Sequence, residues 1–181
     1  MAEETNAHMK VAMADVMGIL VISMFTFAVA VTLMDFGDTG EFIGAVGPWV
    51  GILCIVTAIM MFLNENLLGT AIFGPLAVFF LTIVSMSVGD ALGYLCIVIG
   101  IIAAIDMFLS LFQPVKMLPI LLGIAAIAFF VTAAFYLGST DLDFLAGALW
   151  MIYSLLSFYM AAAIVLLVMK GKQVLPLMIK S

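Results

Sequence analysis

Six long apolar runs, roughly Met17–Met34, Phe42–Leu63, Leu67–Val88, Ala91–Phe112, Met117–Leu137 and Phe144–Met169, constrain this chain more than any other feature in it. At about 1.5 Å of helix per residue, each can cross a hydrocarbon layer about 30 Å thick. A backbone in lipid must satisfy its own N–H and C=O groups, which leaves only helices and closed barrels. Barrel strands would be about ten residues long with alternating polarity, whereas these runs are apolar on all sides. The sequence therefore predicts an all-α membrane protein with six transmembrane helices in one bundle. Composition agrees: at 67% hydrophobic and 9% charged residues, a soluble domain of this size would expose apolar surface almost everywhere.

The breaks between runs carry turn chemistry: Asp35–Glu41, Asn64–Asn66, Gly89-Asp90, Gln113–Lys116 and Gly138–Asp143. Connections this short make sequential helices antiparallel neighbours and leave no room between spans for a catalytic domain. The expected organisation is a cytoplasmic N-terminal segment at 1–16, a transmembrane domain at 17–169 and a cytoplasmic tail at 170–181. Orientation follows from the lysines. Lys10 precedes the first run, Lys116 lies in the fourth connection, and Lys170, Lys172 and Lys180 follow the sixth, so all five fall on one side of a six-span chain. Positive residues near span ends stay in the cytoplasm. Both termini are thus expected inside, and Asp35, Asp38, Glu41, Asp90, Asp141 and Asp143 in loops outside. The leader contains Glu3 and Glu4, and no small-residue cleavage pattern precedes the acidic loop, so the first run reads as a span and not as a cleavable signal. A multi-pass protein of the cytoplasmic (inner) membrane is expected.

The same charges exclude functions. A net charge of −6 with no arginine argues against nucleic acid, whose phosphates need clustered cations. Cys54 and Cys96 lie inside apolar runs, where they act as small hydrophobes, so neither a disulfide framework nor a metal site is indicated. The single histidine, His8, is in the N-terminal segment, and no Ser-His-Asp or Cys-His arrangement can be assembled. The expectation is no enzyme, no metal and no cofactor. The 15 methionines are scattered, as adaptable packing requires and a copper path does not.

An internal echo is visible. Leu53-Cys54-Ile55-Val56 in the second run returns as Leu95-Cys96-Ile97-Val98 in the fourth, and Phe79-Phe80-Leu81-Thr82 in the third as Phe129-Phe130-Val131-Thr132 in the fifth. Read as a repeat, it makes the protein a series of helix hairpins around a shared path; read as chance, it is recurrence in a Leu/Ile/Phe-rich chain.

Charges inside spans are costly and so are functional candidates. Asp106 lies about six residues, roughly 9 Å, from the end of the fourth run. It is either a candidate proton site or a carboxyl that fixes helix packing. Asp15, at the entrance of the first run, reads as a helix cap, and Glu65 as a solvated turn residue. In the third run, Gly74-Pro75 breaks the helix; the freed backbone groups need protein or a water-lined cavity, so the break either lines a pore or is a packing kink. Phe79 and Phe80 supply an apolar constriction, with Thr70 and Thr82 as neutral hydrogen-bonding groups.

At these residues the sequence resembles the acetate uptake transporter family, the bacterial succinate–acetate permease type. That family carries G-N-T-F-G-x-T-A-x-x-S-Y-G-x-F-W-L-T at the start of its third span, and Asn66, Gly69, Ala71, Phe79, Leu81 and Thr82 fall in register without a gap. Met17-Gly18-Ile19, Leu145-Ala146-Gly147 and the ending Gly171-Lys172-Gln173-Val174-Leu175-Pro176 extend the match. Departures are Met13-Ala14-Asp15-Val16 for the family's N-P-x-P, Leu76 for its third-span tyrosine and Met61 for its second-span glutamate. The last suggests that Asp106 replaces the missing acidic group. Phe73-Gly74-Pro75 also resembles the urea and amide channel family, which has F-Y-G-P-A.

The resemblance implies passage of acetate or a similar small monocarboxylate across the membrane, as an anion channel or proton-coupled symporter. It implies a homohexamer with one path per subunit. The path is expected to run along Phe25, Asn66, Thr70, Phe73, Phe79 and Thr82, with Asp106 as its titrating group; Phe25 enters because the family places an aromatic gate in the first span. With no lysine inside a span, a bare carboxylate would rely on helix N-termini, hydroxyl and amide groups and the backbone at Gly74-Pro75. Two other readings stand beside it: a channel for urea or short amides, and a membrane scaffold that transports nothing.

Overall fold

The computed structural model describes residues 15–83, 85–86 and 89–177. His8, Lys10 and Lys180, the expected N-terminal segment up to residue 14, and Val88 at the expected end of the third run lie outside the described residues. The described residues form six helices, α1 (Asp15–Leu33), α2 (Gly40–Leu63), α3 (Leu67–Ile83), α4 (Asp90–Ser110), α5 (Met117–Tyr136) and α6 (Asp143–Lys170), with a 3-10 turn at Thr140–Leu142 leading into α6. The protein is an all-α membrane protein built as a multi-span bundle. Five helices, the last taken with its 3-10 turn, are long and apolar enough to cross a membrane, and α3 is shorter at 17 residues.

Helix limits follow local chemistry. The Asn66 side chain caps α3, its Oδ1 accepting the Gly69 N–H at 2.9 Å. Before it, Glu65 turns the chain in the left-handed region at φ 59°. Gly171, at φ 64°, ends α6 in the left-handed conformation that glycine adopts without strain. Between α4 and α5, the Lys116 ammonium donates to the Leu111 and Gln113 carbonyls at 2.6 and 2.8 Å, satisfying acceptors that the end of α4 leaves open. The α3 helix is described to Ile83, and beyond it Ser85 stands in a turn, its N–H on the Thr82 carbonyl at 3.0 Å.

Close contacts give the helix directions. Glycine positions allow backbones to approach. A Cβ on Gly93 of α4 would meet Leu137, one on Gly100 would meet Phe130, and one on Gly123 of α5 would meet Met107, so α4 and α5 run antiparallel. Gly51 against Leu81 and Gly69 against Met61 do the same for α2 and α3. Gly147 of α6 meets Met34 and Ala30 of α1, and further along the Ser154 hydroxyl donates to the Ser23 carbonyl at 2.8 Å. By contrast α1 and α3 run parallel, with Gly18 at Phe73 and Phe25 at Phe80. The bundle is thus three tight antiparallel pairs, α1 with α6, α2 with α3, and α4 with α5. The repeated Leu-Cys-Ile-Val strings fall on α2 and α4, and both cysteines are buried.

Large apolar side chains such as Trp49, Phe62, Tyr94, Val98, Phe108 and Val168 face outward. Beyond α6 the chain folds back: the Tyr159 hydroxyl donates to the Pro176 carbonyl at 3.1 Å, and Leu177 is fully buried.

Candidate functional site

A cavity of about 350 Å³ lies between α1, α3, α4, α5 and α6 and extends along the bundle. Asp15, Asn66, Asp106, Gln113 and Val115 border one end, and Thr32, Ile43, Gly44, Leu92 and Tyr136 the other. The helix directions explain this grouping, since the first set comes from the starts of α1 and α3, the last turns of α4 and the loop after it. Ile43 and Gly44 are the α2 residues that border it.

Across the middle, six rings form an unbroken series of edge-to-face contacts. Phe25 meets Phe80 at 4.9 Å between centroids, Phe80 meets Phe79 at 5.3 Å, and Phe79 meets Phe129 at 5.3 Å. Phe129 then meets Trp150 at 4.8 Å and Trp150 meets Tyr153 at 5.7 Å. Such pairs fix ring orientation beyond what burial alone achieves. The Trp150 Nε1–H donates to Thr132 Oγ1 at 2.8 Å in a buried contact, which locks the indole and satisfies its one donor. All six rings border the cavity, so this layer is an aromatic waist on its length.

Of the residues expected on a path, Phe25, Asn66, Phe73, Phe79 and Asp106 border this one cavity, and so does Pro75 of the expected helix break. Gly74, Thr70 and Thr82 are not among its lining residues. The Thr70 hydroxyl donates instead to the Asn66 carbonyl at 3.1 Å, back along its own helix, with the Ala58 carbonyl at 3.4 Å. Pro75 sits inside a continuous α3, where the missing N–H leaves the helix unbroken. Asn66 is held by its capping bond and by Nδ2 against Met61 Sδ at 3.3 Å. Asp15 is the first residue of α1, and its Oδ1 accepts the Val16 N–H at 2.9 Å.

Asp106 is 4% exposed and accepts no hydrogen bond and forms no ion pair among the described residues. Among the described residues, it and Asp15 are the charged side chains that border the cavity, and no lysine does. Met61, at the position of the family's glutamate, is buried against Gly69 and Asn66 and is not itself among the residues that line the cavity, whereas Asp106 is. No group of three or more His, Cys, Asp or Glu side chains that could hold a metal occurs among the described residues.

Sequence reasoning missed Phe129, Thr132, Trp150 and Tyr153 as site residues. The echo of Phe79-Phe80-Leu81-Thr82 in Phe129-Phe130-Val131-Thr132 was the available signal for the first two; nothing comparable marked α6. The assembled site is an apolar cavity with aromatic walls and two carboxyls at one end.

The fold is similar to that in the structure of the bacterial acetate channel SatP, with a TM-score of 0.86 over 92% of this chain and 99% of that one, at 20% sequence identity. No protein-family model and no curated protein matches the sequence.

Proposed function

We propose that this chain carries acetate or a similar small monocarboxylate across the cytoplasmic (inner) membrane along the central cavity. The observation that carries the reading is the aromatic waist on a cavity that extends toward both ends of the bundle, in a fold shared with an acetate channel. An apolar waist admits a small neutralised acid far more readily than an ion, because desolvating a charge costs much more than desolvating a hydrogen-bonding group. The path runs past Phe25, Phe73 and Phe79, with Asn66 and Asp106 at one mouth, and Thr70 and Thr82 support the helices beside it. Passage is either channel-like or coupled to a proton.

In this reading α3 is a sixth span. Its 17 residues give about 26 Å of helix, enough when the flanking Asn66 and Ser85 reach the interfaces. Both termini are then cytoplasmic, and Lys116, Lys170 and Lys172 share that side. The outward apolar faces support a homohexamer embedded in lipid. Labelled acetate uptake into proteoliposomes, against protein-free vesicles, tests the function; uptake no faster than in protein-free vesicles refutes it. Native mass spectrometry of the detergent-solubilised protein tests the hexamer.

A further inference from the structure

Asp106 is a carboxyl without an internal partner, nine-tenths buried and bordering a cavity. Buried polar groups in proteins are almost always hydrogen-bonded, and an ionisable group inside a span that faces a cavity in place of a protein partner is a candidate for contact with what enters that cavity. Among the described residues that border the cavity, none supplies a counter-charge. From α1 comes Asp15, a second carboxyl, with one oxygen already on the Val16 N–H. From α3 comes Asn66, whose oxygen and nitrogen are both engaged. The loop after α4 contributes Gln113, while Lys116 turns its ammonium onto the Leu111 and Gln113 carbonyls. The α6 residues toward this end are the apolar Met160 and Ile164.

We infer that this end of the cavity is a solute-binding subsite that reads a hydrogen-bond donor, taking small undissociated carboxylic acids and their primary amides and refusing carboxylate anions. The inference rests on the transport reading above and names the species that passes. An ionised carboxylate is an acceptor only, and a protonated carboxyl both donates and accepts. A solute carrying O–H or NH₂ beside C=O satisfies Asp106 in either state. An acetate anion cannot satisfy an ionised Asp106: two like charges would share a chamber that no lysine among the described residues borders. The pair must hold one proton between them, so the acid arrives with its own. Acetamide has the shape of acetic acid and carries donors that do not depend on pH.

The test uses the full chain in phosphatidylcholine/phosphatidylglycerol vesicles, with potassium and valinomycin setting the potential and protein-free vesicles subtracted. Labelled acetate and labelled acetamide are the probes. Acetate flux through the protein is expected to fall about a hundredfold between about pH 6 and about pH 8, as the undissociated fraction of an ordinary carboxylic acid does. It should not respond to the potential, and acetamide flux should stay level. Asp106→Asn removes the charge and presents an NH₂ donor of its own, so the acetate-to-acetamide ratio at about pH 8 should rise at least about fivefold. Asp106→Glu should keep the wild-type ratio. Acetate flux that is level with pH and driven by the potential, or acetamide excluded while acetate passes, overturns the subsite and leaves the transport reading standing. Acetamide flux without acetate flux at either pH refutes the monocarboxylate reading and, with it, a subsite that takes carboxylic acids. Absence of both fluxes refutes both. Should Asp106→Asn fail to fold, the wild-type measurements decide alone.

Discussion

Gly18 is the tightest point between α1 and α3. A Cβ there would lie 2.4 Å from Phe73 Cε1 and 2.8 Å from Cζ, against an ordinary contact of at least 3.4 Å. Gly18→Ala therefore needs roughly 1 Å of movement. The obstacle is a rigid ring, not the end of a flexible chain, and Phe73 is itself buried two residues before Pro75. Overpacking of this kind costs about 1–3 kcal/mol. The ring can yield in two directions, into the cavity it borders or outward with α3. The first narrows the passage and the second separates α1 from α3 and strains the Phe25–Phe80 contact. Both predict a lower Tm for the detergent-solubilised protein and slower acetate uptake in proteoliposomes. Phe73→Leu on the same chain removes the colliding atoms and should restore most of the lost stability. A Gly18→Ala protein with unchanged Tm and unchanged flux would refute the packing argument, and a drop in stability that Phe73→Leu does not relieve would place the strain elsewhere.

Trp150→Phe keeps a ring beside Phe129 but deletes the Nε1–H bond to Thr132 and leaves a buried hydroxyl without that donor. The cost should be about 1–2 kcal/mol, and a double-mutant cycle with Thr132→Val in thermal unfolding should show the two changes to be strongly non-additive. Phe25→Leu trims the α1 edge of the aromatic waist at a cost of about 1 kcal/mol. It should raise butyrate uptake relative to acetate uptake, and an unchanged ratio would remove Phe25 from the path.

The helices were legible because lipid leaves a backbone so few options that hydropathy alone finds the spans. Inward and outward faces were much less so. In a soluble helix the polar stripe gives the phase, but here Val78 is largely exposed beside buried Phe79 and Phe80, and all three are equally apolar. Phe25 came from family likeness and Phe79 from a pair of rings beside the Gly74-Pro75 step, neither from periodicity. Trp150 and Tyr153 escaped because no motif marked them, although Ser154 and Ser157 lie buried on the same side of α6. Asp106 was legible for the opposite reason: one charge in an apolar run is visible without knowing the phase. Thr70 was read as a path residue by its chemistry, yet a hydroxyl in a helix has a backbone carbonyl one turn earlier within reach, and that acceptor took it.

Position 61 tests whether family correspondence or spatial position decides function. Family likeness sets Met61 where a glutamate is expected, and a simple reading would restore it. In the structure, Met61 is 3% exposed and packs between α2 and α3, with its sulfur on the Asn66 amide and its side chain against Gly69. A Met61→Glu carboxylate would enter this contact without a cation beside it, and would compete for the Asn66 side chain that caps α3. An unpaired buried charge is strongly destabilising, by about 3–5 kcal/mol where one partner of a buried pair is missing. Because Met61 does not border the cavity, the added carboxylate should not substitute for Asp106. In an Asp106→Asn background, Met61→Glu should lower Tm further and leave the acetate-to-acetamide ratio at its Asp106→Asn value. Return of that ratio to wild type would mean that the two positions act on one chamber, and the placing of Met61 outside the cavity lining would be wrong.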